Sequence, residues 1–205
     1  IGGYAELVEI GLQGPVTTQQ VDAMQRVRRA KDHLLTLIND ILSFAKLEAG
    51  QVTISIEAVD VRDVVREVHA FVEPQVEARG LRYSNAGGPQ VMVRADRERL
   101  VQVLINLLTN AVKFTDSGEI GVGWDTEDDR IRIHVRDTGR GIAADRLPSI
   151  FDPFVQERQS AAEPSEGVGL GLAIGRELLR LMQGELTVVS EQGRGSTFTI
   201  HLPLA

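Results

Sequence analysis

The first fifty residues of the chain carry apolar side chains at helical spacing. From about Gln19 to Glu48 the apolar residues recur mostly at separations of three, four and seven, as they do along a helix in a bundle. The preceding YAELVEIGL stretch is also helical, and a glycine and a proline in QGPVT separate the two helices. Either threonine before Gln19 can cap the second helix, and Gly50 can end it. The pattern predicts an antiparallel helical hairpin over residues 1–50.

The apolar stripe of the second helix is too broad for one hairpin to bury. Its members include Met24, Val27, Leu34, Ile38, Ile41, Leu42 and Ala45. Two helices cannot cover such a stripe alone, so we expect pairing with a second copy, each hairpin forming half of a dimeric four-helix bundle. The alternative is that this face packs against the rest of the same chain.

Beyond Gln51 the pattern changes to a mixture of short strands and helices. Strands are predicted at VTISIEAV, VMVRA, EIGVGW, RIRIHVRD, ELTVVSE and GSTFTIHLPL. Helices are predicted over 61–79, 96–114 and about 170–182. The fold class is therefore α+β, a helical hairpin followed by an α/β sandwich with a mixed sheet on one side and helices on the other. The change of architecture predicts two domains, residues 1–50 and 51–205.

Composition narrows the class of protein. The 205 residues are 42% hydrophobic and 25% charged, as in ordinary globular proteins, and their net charge is −7. This balance argues against a nucleic-acid partner, because binding phosphate backbones needs clustered Lys and Arg. There is no cysteine, so disulfides and thiolate metal sites are excluded. There is no membrane-length apolar run and no signal peptide, so we expect a cytoplasmic location and no membrane contact by these residues, which leaves membrane anchoring of the intact protein open. The opening IGGYAELVEI is typical of the middle of a helix, so we expect a fragment of a longer protein.

Two asparagines and a lysine share one face of the helix predicted over 96–114. In NLLTNAVKF, Asn106, Asn110 and Lys113 fall within about one third of the helix circumference at ~100° per residue, and leucines face the other way. An asparagine carbonyl is a hard oxygen ligand that suits Mg²⁺, and a nearby lysine suits a phosphate. A solvated helix face is the alternative.

A carboxylate and two glycines follow the predicted strand RIRIHVRD. In DTGRGI, Asp137 precedes Gly139 and Gly141, so the backbone can turn sharply beside the carboxylate and approach a flat ligand closely. A carboxylate only accepts hydrogen bonds, which favours the exocyclic amine of adenine over the carbonyl oxygen of guanine. A simple Asx-type turn is the alternative.

Two glycine-rich motifs lie near the C-terminus. In GVGLGLAIGRELL, Gly167, Gly169 and Gly171 lead into a helix whose N-terminal amides can hold a phosphate. In GRGSTF, two glycines precede the last strand. The first motif is not a P-loop, which needs GK[ST], nor a dinucleotide fingerprint, because the preceding QSAAEPSE indicates a loop rather than a strand. Glycines that only shape a loop or a hairpin turn are the alternatives.

In their order and spacing, the four motifs resemble the N, G1, G2 and G3 boxes of the ATP-binding domain of sensor histidine kinases. FDPF, residues 151–154, is similar to the F box between G1 and G2. HLLTLINDILSFAKLEAG resembles the second helix of the family's dimerisation and phosphotransfer domain. The resemblance covers essentially the whole chain and implies an ATP-binding domain of the Bergerat, or GHKL, type.

The resemblance implies a role for each matched residue in binding ATP and Mg²⁺. Asn110 would coordinate the metal, Asp137 would accept from the adenine amine, and Thr197 would close the adenine end. Lys113 and Arg158 would reach phosphate oxygens, although the neighbouring QSAAEPSE lacks the basic residues that many relatives carry. The complete ATP-binding set implied is Asn106, Asn110, Lys113, Asp137, Gly139, Gly141, Arg158, Gly167, Gly169, Leu170, Gly171 and Thr197.

The implied reaction belongs to two-component signalling. The γ-phosphoryl of ATP would pass to a histidine nitrogen and then to an aspartate of a response regulator. Gyrase, the mismatch-repair ATPases and the large heat-shock chaperone resemble one another in having a glutamate where this chain has Asn106. An amide cannot act as a general base for water, so the resemblance favours a kinase over an ATPase. The hairpin disfavours a serine kinase of the same fold, and a degenerate, non-catalytic nucleotide-binding and dimerisation module is the remaining alternative.

The family's phosphoacceptor motif is absent from the 205 residues. The resemblance would place that histidine, in a motif of the type His-Glu-Leu-Arg-Thr-Pro, about nine residues before Ile1. The histidines present are His33, His69, His134 and His201, and none is followed by such a motif. We therefore expect no phosphoacceptor here, and no autophosphorylation by these residues alone.

Overall fold

The computed structural model describes residues 2–12, 14–155 and 169–205. Within these ranges the helices are α1 (Gly2–Glu9), α2 (Thr18–Glu48), α3 (Val61–Ala78), α4 (Arg97–Phe114) and α5 (Gly171–Leu181), with a short 3-10 helix over Leu147–Ser149. The strands are β1 (Glu57–Asp60), β2 (Arg82–Gly87), β3 (Met92–Ala95), β4 (Glu119–Glu127), β5 (Arg130–Asp137), β6 (Glu185–Glu191) and β7 (Gly195–Pro203).

The N-terminal helices form the predicted antiparallel hairpin. The α2 helix begins with a capping box, in which Thr17 Oγ1 accepts from the Gln20 amide at 3.3 Å and the Gln20 side chain accepts from the Thr17 amide at 2.8 Å. An ion pair of 2.9 Å joins Glu9 of α1 to Arg28 of α2. Gly50 follows the end of α2 with φ of +63°, the left-handed conformation that glycine adopts without strain.

The part of the chain after the hairpin contains a five-stranded sheet with the strand order β2-β4-β5-β7-β6. The β2 strand is parallel to β4 and every other pair is antiparallel, so the sheet is mixed, as predicted. Helices α3, α4 and α5 cover one face. The buried side chains on that face include Ile120, Val122, Trp124, Ile131, Ile133, Val135, Phe198, Ile200 and Leu202. The α+β fold expected from the sequence is confirmed.

Two strand predictions differ from the structure. Strand was predicted for residues 52–59, but only Glu57–Asp60 pairs, with the four residues of β3. Before it, the Ser55 amide donates to the side chain of Asp96 at 2.9 Å instead of to a strand. The β2 strand was missed because it is a sheet edge with mostly exposed side chains, so its sequence lacks the apolar alternation.

The apolar stripe of α2 is divided between two environments. Near its C-terminal end, Leu47 is buried in the main core and the Phe44 ring packs against it, with the Phe154 ring 6.0 Å away. Further back, the stripe stays exposed at Leu34, Leu35, Ile38, Ile41 and Leu42. Packing on the same chain therefore accounts for one end of the stripe and leaves its middle uncovered. Across the described ranges, no helix combines the length and the apolar character needed to span a membrane.

Candidate functional site

One wall of the candidate site is the polar face of α4. Asp96 caps the start of the helix, where its side chain accepts from the Arg99 amide at 3.1 Å, and the leucines of the helix are buried under the sheet. Asn106, Asn110 and Lys113 lie half-buried on the opposite side, as the spacing predicted. The Lys113 ammonium lies 5.1 Å from the ring centre of Phe114. The α4 helix thus presents two amides and a cation on one face.

A second wall forms where β5 ends at Asp137. This side chain is 7% exposed, and its Oδ1 accepts from the amides of Gly139 at 2.9 Å and Ser196 at 3.3 Å. Burial raises the pKa of Asp137, while the hydrogen bonds from Gly139 and Ser196 act in the opposite direction. A carboxylate has about four acceptor positions, so two amides leave acceptor capacity for a ligand.

Glycines let three backbone segments meet around Asp137. A Cβ on Gly139 would lie 2.2 Å from the carbonyl oxygen of Phe114, at the end of α4. A Cβ on Gly141 would lie 2.0 Å from the carbonyl oxygen of Glu191, and Gly141 also has φ of +66°. A Cβ on Gly195 would lie 2.1 Å from the Asp137 carbonyl oxygen. The glycines of DTGRGI and GRGSTF are therefore needed for close backbone approach.

The hydroxyl beside Asp137 belongs to Ser196 rather than to Thr197. In the sheet register Ser196 is opposite Asp137, whereas Thr197 is opposite Arg136. Because side chains alternate between the two faces of a strand, Thr197 lies on the face of the sheet away from the helices. In this register Ser196, and not the predicted Thr197, lies beside the Asp137 carboxylate. The motif GRGSTF contained both residues, and only the register separates them.

Thr115 is a second residue that the sequence reasoning missed. It follows the last residue of α4, it is fully buried, and its Oγ1 has no hydrogen-bond partner among the described residues. A Cβ on Gly139 would lie 2.9 Å from this oxygen. In the sequence, this residue is indicated by its position directly after the motif NLLTNAVKF. A buried hydroxyl thus lies beside the glycine turn that holds the Asp137 carboxylate.

The N-terminus of α5 completes the candidate site. Gly169 has φ of +75°, Leu170 is fully buried, and α5 begins at Gly171 without a side-chain cap. The amides of its first turn, together with the helix dipole, favour an anionic ligand. Gly171 lies against the side chain of Asn106, so α5 begins directly beside the polar face of α4.

Arg158 and Gly167 lie outside the described residues. Across residues 2–12, 14–155 and 169–205 there is no group of three or more His, Cys, Asp or Glu side chains that could hold a metal ion. The metal ligand predicted on α4 is the amide oxygen of Asn110. That set fits Mg²⁺ bound mainly by nucleotide phosphates and water, and does not fit a resident metal held by the protein alone.

Comparisons with known proteins agree on the type of domain. Residues 95–205 match the family described as histidine kinase-, DNA gyrase B-, and HSP90-like ATPase. Over 98% of its length the chain is 33% identical to the autoinducer 2 sensor kinase/phosphatase LuxQ of Vibrio parahaemolyticus, and it covers 24% of that protein. Over 83% of its length it is 41% identical to the sensor histidine kinase RcsC of Escherichia coli, and it covers 18% of that protein.

Solved structures show the same architecture over the whole chain. The full-length ShkA structure in complex with AMPPNP is similar over 100% of this chain and 43% of its own, at 34% identity and a TM-score of 0.82. The Acinetobacter baumannii histidine kinase AdeS, at 22% identity and a TM-score of 0.72, shares the fold over 98% of this chain. The chain spans about a quarter or less of the two curated relatives named above.

Proposed function

The chain belongs to the histidine kinase-, DNA gyrase B-, and HSP90-like ATPase family, and we propose that it is the catalytic core of a sensor histidine kinase. Residues 51–205 would bind MgATP, and residues 1–50 would form the dimerisation hairpin. The observation that carries the proposal is the convergence of Asp137, the polar face of α4 and the uncapped start of α5. The ShkA structure is a complex with AMPPNP, which supports binding of ATP by this chain.

Each wall of the site suits one part of ATP. The buried Asp137 carboxylate would accept from the exocyclic amine of adenine, with Ser196 beside it and the Thr115 hydroxyl beside the neighbouring Gly139. The amides at the start of α5 would bind phosphate oxygens, aided by the helix dipole. Lys113 would add a positive charge, and Asn110 would contribute an oxygen to Mg²⁺, which neutralises phosphate charge when bound.

The proposed reaction transfers the γ-phosphoryl group to a histidine. The bond between the γ-phosphorus and the bridging oxygen breaks, a phosphorus–nitrogen bond forms, and ADP leaves. Asn106 stands where the ATPases of the family have a glutamate, and an amide cannot deprotonate water. The phosphoryl group would then pass to an aspartate of a response regulator, in a cytoplasmic two-component pathway.

None of the four histidines in the chain is proposed as the acceptor. His33 is exposed on α2, and His69 packs beside Tyr83 with ring centres 4.3 Å apart. His134 and His201 lie on the sheet face away from the helices, where each contacts a threonine hydroxyl at 3.1 Å. The sheet thus separates the last two from the candidate nucleotide site.

The exposed middle of the α2 stripe is proposed to pair with a second copy. Its five large apolar side chains are each 43–56% exposed and follow helical spacing. Replacing Leu34, Ile38 and Ile41 together by serine should convert a dimer into a monomer in light scattering and sedimentation. Val189→Ser is the matched control, because Val189 is 78% exposed on β6 and lies outside the stripe. A monomeric unsubstituted protein would contradict the proposal.

Phosphoryl transfer is tested in the full-length protein with radiolabelled ATP. We expect an acid-labile, base-stable phosphate, and no label on the four histidines named above. ATP binding without any labelling of the full-length protein would instead favour a non-catalytic nucleotide-binding and dimerisation module.

A further inference from the structure

The α5 helix approaches α4 through two glycines that are one turn apart. Gly171 and Gly175 both face the side chain of Asn106. A Cβ on Gly171 would lie 2.2 Å from Asn106 Oδ1, 2.9 Å from its Cγ and 3.0 Å from its Nδ2. A Cβ on Gly175 would meet Val103 at 3.7 Å and Asn106 at 4.0 Å, which is ordinary van der Waals contact. The fit is therefore tight at Gly171 and relaxed at Gly175.

Asn106 is half-buried, and the nitrogen of its side-chain amide is enclosed without being used for hydrogen bonding. Its Nδ2 is buried and has no hydrogen-bond partner among the described residues. A buried polar group without a partner is unfavourable for stability, so an alanine here would avoid a cost that the asparagine incurs. What the asparagine supplies at this place is volume, in direct contact with the first residue of α5.

We propose that Asn106 is a positioning residue for the nucleotide site, acting through Gly171 rather than as a ligand of phosphate or metal. The amide sets the separation between α4 and the first turn of α5. That separation fixes how far Asn110, one helical turn from Asn106, lies from the free amides of α5. The inference rests on the proposed ATP site and gives Asn106 a specific role within it.

A double-mutant cycle on the protein tests the contact. Gly171→Ala should weaken MgATP binding by about 10- to 100-fold, because the added methyl group overlaps the Asn106 amide and shifts α5. In the Asn106→Ala background the same substitution should cost less than about threefold, since the methyl group occupies the space that the amide leaves. Calorimetric titration of ATP with MgCl₂ measures all four affinities.

Gly175→Ala is the matched control on the same helix, and its affinity should stay within about twofold of the unsubstituted protein. An equal loss from Gly171→Ala in both backgrounds would overturn the proposal, because it would show that the effect of Gly171 does not depend on Asn106. If Gly171→Ala alone fails to fold, recovery of folding by Asn106→Ala supports the contact, and failure to recover contradicts it. An unsubstituted protein that does not bind ATP would instead refute the proposed function.

Discussion

Replacing Asp137 with asparagine should weaken ATP binding by about 10- to 100-fold and raise the melting temperature of the nucleotide-free protein. The affinity falls because the charge-assisted hydrogen bond from the adenine amine is lost, and such bonds contribute about 1.5–3 kcal/mol. The stability rises because the buried carboxylate is unfavourable when ionised. The amide oxygen of asparagine can still accept from Gly139 and Ser196.

The stability effect has a defined pH dependence. Burial raises the folded-state pKa of Asp137 above its ordinary 3.8. The ionised group therefore costs stability at every pH above that raised pKa, and the cost disappears as the pH falls through it towards 3.8. Asp137→Asn should accordingly melt higher than the unsubstituted protein at neutral pH, with the difference vanishing in acid. Calorimetric titration and thermal melts across pH measure both effects.

Asp125→Asn is a control for which we expect the opposite change in melting temperature. Hydrogen bonds from Arg132 and His134 lower the pKa of Asp125, on the sheet face away from the helices. Its ionised form is favourable in the folded state, a contribution that is lost as the pH falls through the lowered pKa. The substitution should slightly lower the melting temperature at neutral pH and leave ATP affinity unchanged. If both variants shifted the melting temperature in the same direction, the explanation by burial of Asp137 would fail.

Replacing Asn110 with alanine should remove most of the contribution of Mg²⁺ to ATP binding. In the full-length protein, the rate of phosphoryl transfer should fall by about 100-fold or more, because the metal would lose its amide ligand on α4. Binding of ATP in excess chelator should change little, since Asp137 and the α5 amides remain. Titrations with MgCl₂ and with EDTA separate the two contributions.

Gln102→Ala is the matched control for this variant. Gln102 lies on the same face of α4, two turns earlier, where it accepts from Arg99 at 3.1 Å. The Gln102→Ala protein should retain both its affinity for ATP and the dependence of that affinity on Mg²⁺. An Asn110→Ala protein whose ATP affinity still responds fully to Mg²⁺ would show that the metal is bound without Asn110.

The sequence predicted the elements whose side chains are buried in a regular pattern. The α4 helix and strands β4, β5 and β7 have strong periodicity, because each has one face in the core. The edge strand β2 and the short β1 lack that signal, since pairing with a neighbour rather than burial defines them. Prediction therefore failed where backbone partners, which the local sequence does not specify, decide the structure.

Motif order located the candidate site, but close contacts refined it. The choice between Ser196 and Thr197 depends on a one-residue register across β5 and β7. The contact between Gly171 and Asn106 joins residues 65 positions apart in the numbering, so spacing could not reveal it. Likewise, the buried Thr115 lies beside the turn that follows Asp137 only because Gly139 packs against the end of α4 in the folded chain.

Calorimetric titration of the protein with ATP and with GTP, each with MgCl₂, tests the central claim most directly. The Asp137 carboxylate should accept from the adenine amine and oppose the guanine carbonyl oxygen. We therefore expect ATP to bind and GTP to bind about 100-fold or more weakly. Absence of ATP binding, or equal affinity for the two nucleotides, would contradict an adenine site at Asp137.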